Sequence, residues 1–174
     1  KVKAFKIGSG ECNNYPLVDY IASFGKPIII STGMNDVNSI KKAIKILKKR
    51  KVQYAILHTT NLYPTKHSEV RLNALIELKE IFPNTVVGLS DHTGDNYTSY
   101  AAIAMGASII EKHFIDNSSR KGPDISASVN TQQMFELLKG IDSIYKAMPG
   151  GIKPILKEKK KSNFAFASVV SNAS

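Results

Sequence analysis

Tryptophan is absent from this 174-residue sequence, and cysteine occurs once, as Cys12. A single cysteine excludes an internal disulfide framework and fits a reducing, cytoplasmic setting. No apolar run approaches the roughly 18 residues that a membrane helix needs, and no signal peptide opens the chain, so a membrane partner is not expected. Acidic residues are scarce too: 14 Asp and Glu stand against 24 Lys and Arg, a formal net charge of +10. The excess sits in two places. Lys41, Lys42, Lys45, Lys48, Lys49, Arg50 and Lys51 fall on the polar face and end of one amphipathic segment; Lys157, Lys159, Lys160 and Lys161 lie near the carboxyl end. A solvated helix face and a charged linker account for both. No aromatic-interleaved basic patch accompanies them, so nucleic acid is not the expected partner.

What is present is a repeating pattern of short apolar runs that stop at polar clusters. Val2–Ile7, Pro27–Gly33, Val52–Thr60, Val86–Thr93 and Ala107–Phe114 read as five strands. The unbroken Ile28-Ile29-Ile30 run predicts burial on both faces. Between the strands, 3.6-residue periodicity predicts helices. These run over 16–24, from Asn35 or Asp36 with Val37, Ile40, Ile44 and Leu47 inward, over 72–81 with Leu72, Leu75 and Ile76 inward, and over 97–105. After the fifth strand a polar loop, 116–130, leads to a helix capped by Thr131, with Met134, Leu137, Leu138, Ile141 and Ile144 on its apolar face. Strand ends at Ser9, Ser31, Thr60, Ser90 and His113 are 22, 29, 30 and 23 residues apart. That is the cadence of βα units. It predicts an α/β fold, a partial (β/α)8 TIM barrel made of about the last five units, with the first three missing. Residues 1–148 are then barrel, 149–163 a linker rich in Gly, Pro and Lys, and Phe164–Val170 the start of a further strand.

In parallel α/β folds ligands gather at the carboxyl ends of the strands. Across that edge the sequence places Lys6, Ser9, Glu11, Ser31, His58, Asn61, Tyr63, Ser90, Asp91, His92, Glu111 and His113. Hydroxyls, an amide and one ammonium are the donors an oxyanion such as a phosphate needs. His92 and His113 end neighbouring strands, where two imidazoles side by side hold a divalent metal. Glu11 follows a Ser-Gly pair and is a candidate general acid or base. Glu111 shares a strand face with His113, either orienting that imidazole or filling the barrel as a paired charge. His58 is expected to be packed and hydrogen-bonded, and His67 to have no role.

Six motifs in order carry a resemblance: Lys6-Ile7-Gly8-Ser9-Gly10-Glu11, Ser31-Thr32-Gly33-Met34, Thr60-Asn61-Leu62-Tyr63-Pro64, Gly88-Leu89-Ser90-Asp91-His92-Thr93, Glu111-Lys112-His113-Phe114 and Gly122-Pro123-Asp124. Together they make the chain similar to the sialic acid synthase family. The resemblance implies condensation of phosphoenolpyruvate with N-acetylmannosamine to give N-acetylneuraminate and phosphate. It assigns Lys6, Ser9, Ser31, Asn61, Tyr63 and Ser90 to phosphoenolpyruvate. It assigns His92 and His113 to a divalent metal, manganese in general, with magnesium or cobalt as alternatives, and Glu11 and Asp124 to catalysis. It also implies that residues 164–174 open an antifreeze-like domain, that the whole protein is a domain-swapped homodimer, and that this stretch alone has little or no turnover. Two alternatives stay open: a legionaminate or pseudaminate synthase using a modified hexose, and a non-catalytic barrel fragment that binds a phospho-ligand.

Overall fold

The computed structural model describes residues 2–117 and 119–149. Its elements run β1 (Phe5–Ile7), α1 (Tyr15–Ala22), β2 (Ile28–Ser31), α2 (Val37–Lys49), β3 (Tyr54–Thr59), α3 (Ala74–Ile81), β4 (Val86–Asp91), α4 (Tyr97–Ala104), β5 (Ile110–Phe114), β6 (Ser128–Val129) and α5 (Thr131–Ala147). The six strands form one sheet in the order β1-β2-β3-β4-β5-β6. Every neighbouring pair is parallel. Sequential order without a reversal point is the wall of a (β/α)8 barrel rather than a doubly wound sheet. The fold is a partial barrel.

Strand alternation sorts the side chains into two layers. Ile7, Ile28, Ile30, Ile56, Val87 and Leu89 lie in the core that the helices cover. Each is worth about 1.5–3 kcal/mol on full burial. Ile29, on the opposite face, stays half-buried, so two-sided burial of β2 holds only in part. The α2 helix forms because Asp36 accepts from the Ser39 backbone N–H at 2.7 Å, while Ile40, Ala43, Ile44 and Leu47 are buried. The lysines between them remain outside, which accounts for much of the net charge.

Val37, expected to face inward on α2, is exposed at the helix start, and three further expectations need correction. Ile76 is exposed, whereas Leu75 and Leu78 are buried; a helix starting at Ala74 turns the 75/78 spacing inward and carries Ile76 about 100° away. The α5 cap is Asn130, not Thr131: its side chain accepts from Gln133 N at 2.9 Å, and Gln133 returns a bond to Asn130 N at 2.9 Å. This reciprocal pair satisfies two otherwise orphaned donors. The third correction is a sixth strand. Ser128–Val129 pairs with His113–Phe114, and the polar loop had hidden it because two residues carry no detectable alternation. Among the described residues no α-helix lies between β5 and β6, only the short 3-10 turn Ile125–Ala127; α5 follows β6 and packs on α4, with Tyr100 Oη donating to Glu136 O at 3.0 Å. The expected strand Phe164–Val170 and nearly all of the expected linker lie outside the described residues.

Candidate active site

The carboxyl ends of the strands carry one connected polar cluster. From β1, Lys6 Nζ donates to Ser31 Oγ on β2 at 2.9 Å and lies 3.3 Å from Glu111 Oε1 on β5. Ser90 Oγ, on β4, donates to the same Glu111 oxygen at 2.7 Å. The sheet register makes this possible, since Ser31 is level with Leu57, Thr59 with Ser90, and Ser90 with Glu111. Glu111 thus binds the Lys6 and Ser90 side chains rather than His113. Of the two roles expected for it, the paired charge is the one observed.

His92 follows directly on β4. Its Nδ1 donates to the Thr60 carbonyl at 2.8 Å, which fixes the neutral tautomer with a bare lone pair on Nε2. Ser90 Oγ also lies 3.3 Å from that Nε2. A hydroxyl has one proton, and the shorter contact to a carboxylate takes it. The Nε2 lone pair is left unspent. Burial holds His92 below the usual imidazole range; the Thr60 hydrogen bond opposes this and His113 reinforces it. The ring is therefore neutral at pH 7, the form that ligates metals.

Around His92 stand three other expected residues. The Tyr63 ring stacks on it at 4.2 Å between centroids and meets His113 edge-on at 5.5 Å. The two imidazoles are 5.3 Å apart, centroid to centroid. His113 Nδ1 lies 3.9 Å from Asp124 Oδ2, because the loop after β5 folds back over the strand. Burial, with the carboxylates of Asp124 and Glu111, pushes the Tyr63 phenol up.

A second corner adjoins the first. Ser9 Oγ accepts from the Gly33 backbone N–H at 3.0 Å, and Asn35 Nδ2 donates to Ser9 O at 2.8 Å. Asn61 Oδ1 is buried there without a partner. A Cβ on Gly33 would lie 2.4 Å from that oxygen and 2.9 Å from Ser9 Oγ, so any larger residue displaces these two side chains from the corner. The cluster joins Lys6, Ser31, Tyr63, Ser90, His92, His113 and Asp124, with Ser9 and Asn61 in the neighbouring corner. Glu11 stands apart: it is exposed, and its carboxylate accepts from Asn14 Nδ2 at 2.7 Å. His58 is buried, with Nε2 donating to Val70 O at 2.6 Å, as expected. His67, expected to do nothing, lies 2.8 Å from Asp95. The Gly33 N–H and the Thr60 carbonyl were beyond sequence reasoning, since backbone groups leave no signature in residue types.

Among the described residues no three His, Cys, Asp or Glu side chains converge as a metal cage. Two adjacent imidazoles, that of His92 with its Nε2 lone pair unspent, nevertheless suit a divalent ion whose remaining positions are filled by water or substrate. No helix of the described residues is long and apolar enough to cross a membrane.

Comparison with known proteins identifies the family and the fold. Residues 1–153 match the NeuB family model. The chain is 42% identical over 173 residues to the N,N'-diacetyllegionaminic acid synthase of Campylobacter jejuni, covering 97% of this chain and 52% of that protein. It is 32% identical over 155 residues to the N-acetylneuraminate-9-phosphate synthase of Homo sapiens, covering 89% and 43%. Its structure superposes on the N-acetylneuraminic acid (sialic acid) synthetase of Leptospira borgpetersenii, solved with citrate, with a TM-score of 0.85 at 29% identity, covering 93% and 58%. The chain spans about half the length of the curated relatives it matches. On the family match over most of its residues, the chain belongs to the NeuB family, that of the sialic acid synthases.

Proposed function

We propose that this chain provides the phosphoenolpyruvate- and metal-holding wall of a synthase that condenses phosphoenolpyruvate with N-acetylmannosamine. The observation that carries the reading is the convergence of Lys6, Ser31, Ser90, His92 and His113 on one face of the sheet. Lys6 supplies the one cation of that cluster, and Ser31 Oγ, which accepts from Lys6, keeps its own proton to donate to a phosphate oxygen. Ser9 likewise accepts from Gly33 and keeps a proton for the ligand. The Asn61 amide, unpaired on one side, faces the same corner.

In the reaction, carbon 3 of phosphoenolpyruvate forms a bond to the aldehyde carbon of the open-chain sugar. Water adds to carbon 2, and the C–O bond to phosphate breaks, so one water is consumed and one phosphate released. His92 and His113 would hold a divalent metal, manganese by preference, which when bound would supply Lewis-acid polarisation of the aldehyde. Tyr63 packs against both imidazoles and holds their planes. Asp124 accepts from sugar hydroxyls or a bound water beside His113. Glu11, exposed and held by Asn14 away from the cluster, is given no step.

A second reading, with a modified hexose as acceptor, is supported by the higher identity to the Campylobacter jejuni legionaminic acid synthase, 42% against 32% for the human enzyme. Both readings share the phosphoenolpyruvate site and the metal pair. The test is titration of this chain with Mn²⁺, by electron paramagnetic resonance of the free ion, and with phosphoenolpyruvate by calorimetry. Saturable binding of both is expected, with Mn²⁺ lost in His92→Ala and phosphoenolpyruvate lost in Lys6→Met. A folded wild-type chain that takes up neither ligand overturns the proposal. Phosphate release with each sugar in turn, in a protein carrying this chain, decides the acceptor.

A further inference from the structure

Between the inward residues of β4 and β5 lie two outward ones. Asp91 sits between Ser90 and His92, and Lys112 between Glu111 and His113; the strands pair Asp91 with Lys112 in register. The pair faces the helix layer, where their side chains are 0% and 1% exposed. Lys112 Nζ lies 3.0 Å from Asp91 Oδ2. Thr98 Oγ1 and Ser99 Oγ, in the first turn of α4, donate to the same oxygen at 2.7 and 2.6 Å. Thr93 donates to Oδ1 through its backbone N–H at 2.9 Å and its hydroxyl at 2.8 Å. Lys112 also donates to the Thr93 carbonyl at 2.8 Å. The carboxylate thus receives five donors, and the ammonium has three acceptors, the third being Thr93 Oγ1 at 3.3 Å. In the ionised pair nothing is left over.

Neither side chain faces the site, so neither binds substrate. A buried ion pair of this kind is weak evidence for stability, because apolar replacements of similar volume do as well or better. What it does specify is register: a slip of one residue between β4 and β5 turns Ser90, His92, Glu111 and His113 to the wrong face, and only the paired register joins carboxylate to ammonium. Thr93 extends the effect along the chain. Held by Asp91 and Lys112 together, it fixes the backbone just after His92, and α4 is pinned to β4 through Thr98 and Ser99.

We propose that Asp91 and Lys112 are positioning residues that hold His92 opposite His113, and Ser90 against Glu111, from the far side of the sheet. The inference rests on the metal reading of the two histidines for its functional meaning, but its geometry does not. The test uses this chain with the double substitution Asp91→Asn/Lys112→Met, which removes both charges and keeps the shapes. Three measurements are made: circular dichroism, Mn²⁺ titration, and long-range ¹H–¹⁵N spectra of the histidine rings without metal. A folded double variant should bind Mn²⁺ about tenfold to hundredfold more weakly, with altered His92 ring shifts. A merely structural role would lower the melting temperature and leave both readouts of the folded protein untouched, and that result overturns the proposal. If wild type binds no Mn²⁺ the metal reading falls, and the ring spectra decide alone: identical spectra in wild type and variant overturn the positioning role. If the double variant does not fold, Ser99→Ala, which removes one hydrogen bond to the Asp91 carboxylate and no charge, is read by the same two measurements against the same outcomes.

Discussion

The Tyr63 phenol ring lies almost flat on the His92 imidazole, with 4.2 Å between centroids and 27° between planes. Aromatic pairs of this kind contribute about 0.5–1.5 kcal/mol beyond area burial. Tyr63→Ala is therefore expected to weaken Mn²⁺ binding by about twofold to tenfold, while Tyr63→Phe, which keeps the ring, stays near wild type. Equal loss in both variants would place the effect in the hydroxyl instead of the stack.

Gly33 offers a way to block the phosphate corner without touching the core. An added methyl group meets two flexible site side chains, Asn61 and Ser9. Gly33→Ala should reduce phosphoenolpyruvate affinity at least tenfold in calorimetry with a nearly unchanged unfolding midpoint. Wild-type affinity would mean the ligand sits elsewhere.

Gly88 is the opposite case. Its added Cβ would stand 2.4 Å from the Ile109 carbonyl oxygen and 2.8 Å from Ile109 Cβ, both fixed by the β4–β5 ladder. Backbone does not yield as a side-chain end does. Gly88→Ala should destabilise by about 1–3 kcal/mol, measured by urea unfolding, and a change under about 0.5 kcal/mol would contradict the packing.

Acid should weaken the fold through His58. Burial drives its imidazole below the ordinary value, against the Val70 hydrogen bond and with help from Arg71. The unfolded chain binds that proton near pH 6.5, and the folded chain only at lower pH. Between the two values the unfolded state carries more protons, so stability falls as pH drops through that window and levels off below it. His92 shifts in the same direction. The urea midpoint is expected to fall between about pH 7.5 and pH 5.5, and less steeply in His58→Gln; parallel pH slopes for variant and wild type would rule His58 out.

Much of this was legible in the sequence for definite reasons. Repeated apolar runs of five or six residues ending in Ser, Thr or His reveal βα units because burial and strand ends both leave marks on composition. Ser31, Ser90, His92 and His113 could be collected because each lies at the end of such a run, and Lys6 because alternation turns it inward within one. The two-residue strand Ser128–Val129 leaves no such mark, since its pairing with His113–Phe114 is made by backbone. Glu111 was seen on the correct face but given an uncertain partner: face follows from alternation, whereas a bond to Lys6 four strands away follows from the curvature of the sheet. Lys112 was passed over, and Asp91 was wrongly placed at the ligand edge, for the reverse reason. Charged residues in strands read as surface, and only the register shows that they neutralise each other in the core.

The passage from β5 to β6 without an intervening α-helix has an evolutionary consequence. The loop that carries Asp124 over His113 is tied down near its ends, where Ile115 and Ala127 are buried, while Asp124 itself is exposed. Substitutions at its exposed positions therefore leave the barrel's own packing intact. A lineage exchanging one sugar for another can rewrite that loop and inherit the phosphate corner and the histidine pair unaltered.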